Sequence, residues 1–222
     1  MTDIHSDDRL IPGTRLPMFE ATPVRVEHAE QIWDWMNDEK ARIWFDLGSG
    51  RQSMSKRDLY LLLTSPRNYA RLFRKPNSTP ALGLVCLNDM QNLMGSADIW
   101  GIRGVYDATT RNAAAASFLL TIATGFLDLG RTVIGSWIAE GNNISIGMHR
   151  RLGFVETGRM RARHVVNGVA YDRLLFDMTR DEFIARYPDV PSEQGVTARS
   201  LCGALPQPAA VRLASRELSL VH

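Results

Sequence analysis

Hydrophobic and polar positions alternate along the chain with periods that change from segment to segment. Residues 1–20 are polar, with Asp3, Asp7, Asp8, Pro12, Gly13 and Pro17, and predict a loose leader. Thr22 to Glu27 alternates and is rich in valine, which predicts a strand. From His28 to Phe45, Ile32, Trp35, Met36 and Ile43 mark an apolar stripe at helical spacing. Ser55 to Thr64 predicts a second helix, with Ser55 as its cap and Pro66 as its stop. Three short strands follow at Tyr69–Arg74, Ala81–Leu87 and Ser96–Ile102, joined by turn residues into an antiparallel meander. Arg111 to Leu129 carries the strongest helical pattern, opening on an alanine run and closing at Gly130. A buried strand over Thr132–Ala139 and a helix over Asn143–Leu152, closed by Gly153, come next. A hairpin over Phe154–Val165 and Val169–Met178 turns at Asn167-Gly168, and Asp181–Arg186 predicts a short last helix.

This order predicts a single α/β domain over residues 21–187. Its central sheet is mixed and mostly antiparallel, it is flanked by helices, and a strand–helix–strand unit lies in its middle. After Pro188 the period is lost and Pro191, Pro206 and Pro208 recur, so residues 188–222 are expected to form a flexible C-terminal tail.

Composition adds limits. The 222 residues are 45% hydrophobic and 23% charged, as in globular proteins. Basic and acidic side chains nearly balance at 26 against 24, which gives no support to nucleic acid as a partner. Only Lys40, Lys56 and Lys75 are lysine; the arginine bias fits a GC-rich, bacterial genome or a need for phosphate forks. The longest apolar stretch, Ala113 to Leu129, is interrupted by Ser117, Thr121, Thr124 and Asp128. It falls short of the ~20 apolar residues of a membrane span, so a soluble, cytoplasmic protein without a membrane partner is expected. Cys86 and Cys202 are far apart and match no metal or redox spacing, so no metal is expected.

Candidate chemistry concentrates between Ile99 and Phe154. Small residues at the start of the Arg111 helix leave backbone N–H groups open at the positive end of its dipole, which suits an anion such as pyrophosphate. Downstream, Asn142 follows a strand, Ser145 lies three residues on, and one helix leads to Leu152-Gly153-Phe154. This Asn-x-x-Ser…Leu-Gly-Phe pattern, with the element order, resembles the GNAT superfamily of acyl-CoA N-acyltransferases. The likeness spans about residues 20–184 and is nearest the branch that acetylates ribosomal-protein N-termini and sugar or antibiotic amines. Gly158-Arg159, Asn167-Gly168 and Tyr171-Asp172-Arg173-Leu174 share in it.

The resemblance implies an acetyl-CoA cofactor and a small-molecule or protein amine as acceptor; a homodimer is compatible with it. A bulge on the central strand near Trp100 to Ile102 would offer backbone groups to the pantetheine arm. Arg111, Ala113, Ala114, Ala115 and Ala116 would bind the pyrophosphate, where the family has Arg/Gln-x-x-Gly-x-Gly/Ala. Alanine keeps those N–H groups reachable where the backbone stays at φ < 0. Asn142 and Ser145 would face the thioester, although both equally suit a turn and a helix cap.

Amine acetylation needs a base for the amine and donors for the oxyanion. Asp98, on the central strand and sharing a face with Trp100, is the first candidate base, and Glu140 the second. His149 stands where many such proteins have a tyrosine as general acid, and is open to either that role or a place in the groove wall. Arg159, Arg161 and Arg163 would alternate onto one face as a basic stripe, and Trp33, Trp35 and Trp44 lie in the helices that wall the acceptor side. Two further readings stay open: an acyl-CoA-binding regulatory domain without turnover, suggested by Ala114 and Ala116, and a scaffold whose tail recruits a partner.

Overall fold

The computed structural model describes residues 10–46, 51, 53–106 and 112–202. Seven strands form one sheet in the order β1-β2-β3-β4-β5-β7-β6. They are β1 (Glu20–Pro23), β2 (Tyr69–Arg74), β3 (Gly83–Asn88), β4 (Ser96–Arg103), β5 (Val133–Ala139), β6 (Val155–Val166) and β7 (Val169–Thr179). Every pairing is antiparallel except β4 with β5. The helices are α1 (Ala29–Asn37), α2 (Glu39–Arg42), α3 (Lys56–Thr64), α4 (Ala113–Leu127), α5 (Asn143–Leu152), α6 (Arg180–Arg186) and α7 (Ala198–Cys202). The expected α/β architecture, a mostly antiparallel sheet between helices, is the one observed.

Two cores flank the sheet. On one side α1 and α3 bury Ile32, Met36, Leu59 and Leu63 against Leu72, Leu84 and Cys86. On the other, α4 lies along the sheet through Leu119, Ile122 and Phe126 against Leu87, Ile99 and Ile134. Eleven of its fifteen residues are buried, because it is covered from outside as well. Ile11 joins this core ahead of β1, and the segment after α6 crosses over α4. Val190 is 1% exposed. The Ser192 hydroxyl donates to Asp128 at 2.6 Å and the Glu193 N–H to Thr124 at 2.9 Å. The Glu193 carboxylate takes bonds from Arg71 and the Tyr69 hydroxyl.

The structure therefore differs from the expected flexible tail over residues 188–202, which pack as a strap. Their apolar residues are too few to show a period, yet Val190 joins the core that α4 shares and Ala198 is buried. Residues 203–222 lie outside the described residues. Part of the expected leader is also packed, through Ile11 and Phe19.

Two boundaries differ for local reasons. The expected helix over His28–Phe45 breaks at Asp38, whose backbone is extended (ψ 128°) and whose side chain accepts from the Lys40 N–H at 2.9 Å, ending α1 and capping α2. The first strand runs over Glu20–Pro23 because its ladder with β2 ends at Pro23↔Arg71. A one-turn helix over Val26–His28 follows, held by the Arg25 N–H donating to His28 Nδ1 at 3.0 Å. Elsewhere the caps match the pattern: Ser55 accepts from the Asp58 N–H, and Gly153 closes α5 at φ +94°, a conformation that favours glycine. No helix among the described residues is long and apolar enough to cross a membrane.

Candidate active site

The site begins where the two parallel strands part. β4 and β5 pair only over Ser96↔Val133, Ala97↔Ile134 and Asp98↔Gly135. Beyond Asp98 the β5-facing edge of β4 has no strand partner, and a notch opens between them. The bulge expected near Trp100–Ile102 is absent. The register with β3 runs unshifted from Gly83↔Arg103 to Asn88↔Asp98, so the parting of the strands, not a bulge, frees the backbone. The notch is a cavity of about 380 Å³. It leads through Gly101, Phe118, Asn142 and Ser145 into a groove of about 630 Å³ that reaches the start of α4.

Asp98 stands at the apex of the notch. It keeps contact with solvent and, among the described residues, makes no hydrogen bond or ion pair. Gly135, directly opposite, gives it room: a Cβ there would meet Asp98 Oδ1 at 2.7 Å. Surrounding protein, and secondly the charge of Asp89, raise the Asp98 carboxyl above the ordinary carboxylate value. Trp100 lines the same cavity, as strand alternation requires. Its indole N–H donates to Asn88 Oδ1 at 2.9 Å and its ring meets Phe45 edge-on at 5.9 Å. Trp44 and Trp137 complete an aromatic wall. Trp33 and Trp35 pack in the core beneath, Trp33 donating to the Met54 carbonyl at 2.8 Å.

Glu140 is not brought to the notch. It is exposed and accepts from Arg159 at 2.9 Å, which also holds Asp172 at 3.0 Å. The basic stripe on β6 is interrupted. The register shifts between Met160 and His164, Ala162 turns to φ +52°, and its N–H donates to Asp172 at 2.8 Å, so Arg159, Arg161 and Arg163 do not alternate onto one face. His164 is buried instead, its ring N–H meeting the Ile43 carbonyl at 2.7 Å, which ties the hairpin to the end of α2.

At the far end of the groove, Ala114 and Ala115 line the wall, while Ala113 and Ala116 are fully buried beneath it. The Ala116 N–H is used within the helix, bonding the Asn112 carbonyl at 2.9 Å. Asn112, at the N-cap, makes no side-chain bond to the earlier N–H groups, and no other described residue caps them. All four alanines have helical backbone. Arg111 lies outside the described residues. Lys40, Arg103, Arg151 and Arg186 line the same groove, and none has a carboxylate partner among the described residues. Ile102 also lines it.

Asn142 and Ser145 touch both cavities. Asn142 caps α5 as well, its Oδ1 accepting from the Ser145 N–H at 3.2 Å. His149, one turn on, is 2% exposed among Phe118, Phe154 and Phe176, and lines the notch. Burial pushes its pKa down to about 4, against the smaller opposing effect of its bond to the Ser145 carbonyl. A ring so held is neutral near pH 7 and poorly placed as a general acid.

Sequence reasoning missed Asp46 and Arg173. Asp46 lines the notch and forms an ion pair with Arg173, whose guanidinium lies 3.8 Å over the Trp137 ring. Tyr171-Asp172-Arg173-Leu174 stands out as a motif, but its partner is 127 residues away. No group of three or more His, Cys, Asp or Glu among the described residues could hold a metal ion.

No family model matches the chain. A 70-residue stretch, 32% of the chain, is 34% identical to the SPbeta prophage-derived N-acetyltransferase YokL of Bacillus subtilis (strain 168) and spans 40% of that relative's length. Among solved structures, the spermidine N-acetyltransferase of Vibrio cholerae in complex with CoA and spermine superposes with a TM-score of 0.66 at 16% identity, over 75% of this chain and 98% of that one. RimJ of Mycobacterium smegmatis in complex with CoA-disulfide gives 0.60 at 17% identity, over 74% and 83%. The chain is thus similar to N-acetyltransferases in sequence over part of its length and in architecture over most of it, and its fold is that of the N-acetyltransferase structures on which it superposes.

Proposed function

We propose that the protein is an N-acetyltransferase that moves an acetyl group from acetyl-CoA to a primary amine. The observation that carries this reading is the passage between the parted strands. It joins Asp98, a carboxylate without a partner among the described residues, to a groove ending on the first turn of α4. The groove residues fit the cofactor. Backbone N–H groups at the helix start and the four cations without a carboxylate partner among the described residues suit its phosphates, and the edge of β4 beyond Asp98 suits the amides of its arm. Bound acetyl-CoA would supply the thioester carbon at the notch.

The chain's own residues then have distinct tasks. The aromatic wall of Trp44, Phe45 and Trp100 receives the acceptor, as a cationic ammonium lying over ring faces and near a carboxylate. Asp98 takes the proton that the amine must lose, directly or through one water. Its raised pKa strengthens it as a base. Asn142 fixes the start of α5, so that Ser145 and His149 hold their places along the passage. Helical backbone at Ala114 and Ala116 leaves the α4 N–H groups within reach, which favours a functioning cofactor site over a binder without turnover.

The acceptor class is a small amine, an amino sugar or a protein N-terminus. The spermine of the Vibrio cholerae enzyme makes small amines the first to try. The test is calorimetric titration with acetyl-CoA, followed by free-thiol release against polyamines, amino sugars and peptides. Saturable cofactor binding and amine-dependent thiol release are expected; absence of cofactor binding overturns the reading.

A further inference from the structure

His149 lines the notch, and one of its ring nitrogens has no donor among the described residues. His149 Nδ1 faces the Ser145 carbonyl at 2.9 Å. A carbonyl oxygen can only accept, so Nδ1 carries the proton and Nε2 presents a bare lone pair. That Nε2 is buried and, among the described residues, has no hydrogen-bond partner. Phe118, Phe154 and Phe176 enclose the ring and offer no N–H or O–H. Buried polar atoms are nearly always paired, so an orphan beside a site calls for a partner, which a ligand can supply.

What enters the notch must therefore bring a donor. Asp98, in the same cavity, is also an acceptor. The amides of a cofactor arm would be met further out, by the edge of β4 beyond Asp98. At the inner end the arm carries sulfur, and that sulfur bears hydrogen only after the acetyl group has gone. We infer that His149 Nε2 accepts a hydrogen bond from the thiol of free CoA, so that the notch distinguishes the spent cofactor from the acetylated one. This rests on the acetyl-CoA reading above. The ring takes no proton in this role: it stays neutral, and the hydrogen stays on sulfur. His149 then sets how strongly the product is retained, and with it the product inhibition.

The test compares binding of CoA with that of desulfo-CoA, which lacks the thiol, by calorimetry. The parent should prefer CoA by about two- to tenfold, the size of one net hydrogen bond. In His149→Phe the ratio should fall to about one with both ligands still bound. His149→Gln, whose amide oxygen can accept, should keep part of the preference. In the parent, the ¹⁵N resonance of His149 Nε2 should move on adding CoA and stay with desulfo-CoA. An equal ratio in parent and His149→Phe, or a resonance that moves equally with both ligands, overturns the inference, the second by giving the bond to an arm amide or water. Failure of the parent to bind CoA or acetyl-CoA would overturn the functional reading itself. Should His149→Phe not fold, the parent resonance and the Gln variant still decide.

Discussion

At position 98 a carboxylate has room, solvent contact and, among the described residues, no partner, a combination that suits a base better than a structural role. Asp98→Asn should keep acetyl-CoA affinity and slow thiol release by ~10²–10⁴-fold, the range for loss of a general base. The raised carboxyl also fixes the direction of two pH effects. The parent rate should climb with pH through the Asp98 titration, above the pH at which an ordinary carboxylate ionises, and Asp98→Asn should lack that limb. Because the folded state disfavours the charged form, this group's contribution to stability is fully present below the unfolded-state pKa and is lost as pH rises through the folded one. Asp98→Asn should therefore melt at or above the parent Tm near pH 7, with the difference vanishing in acid. A lower Tm at neutral pH would make Asp98 structural. Asp98 and Trp100 were legible in the sequence because strand alternation is local. The Asp46–Arg173 pair was not, because residues 127 apart meet only through the fold.

Single elements show the same division. Strands β2, β4 and β7, and helices α3 and α5, follow from period and caps, since each depends on neighbours within a turn. The break at Asp38 overrides a continuous apolar stripe, because one side chain capping the next helix outweighs propensity there. The strap over α4 was illegible for another reason. A segment with two buried apolar residues has no period, and its position is fixed by Thr124 of α4 and Asp128 at its C-cap and by Tyr69 and Arg71 of β2. Its weight in the fold can be measured. Val190 is 1% exposed beside α4, so Val190→Ala should lower unfolding free energy by about 2 kcal/mol in urea. Unchanged stability would make the strap a passive cover. The notch itself was only half readable: a helix start suited to an anion is an expectation from the alanine run, but the parting of β4 from β5 is a property of two strands 30 residues apart and leaves no mark in either.

Charge on the whole molecule is nearly balanced at +2, so no general field draws an anionic cofactor to it. The attraction has to be local. Lys40 on α2, Arg103 at the end of β4, Arg151 on α5 and Arg186 on α6 come from four elements to one groove, without carboxylate partners among the described residues. The salt dependence of binding follows from that placement. The Debye length is about 10 Å at 0.1 M salt and about 3 Å at 1 M, so charges at a solvent-open groove are screened across that range. CoA affinity should fall steeply between the two. Pantetheine, which has the arm but no phosphates, should bind with little change. Replacing both Arg151 and Arg186 with Ala should weaken CoA by ~1–3 kcal/mol at low salt and flatten its salt dependence, while leaving pantetheine unaffected. Equal salt slopes for CoA and pantetheine would move the phosphates elsewhere; a flat slope for CoA alone, with affinity intact, would assign binding to the α4 N–H groups and leave the arginines as surface charge.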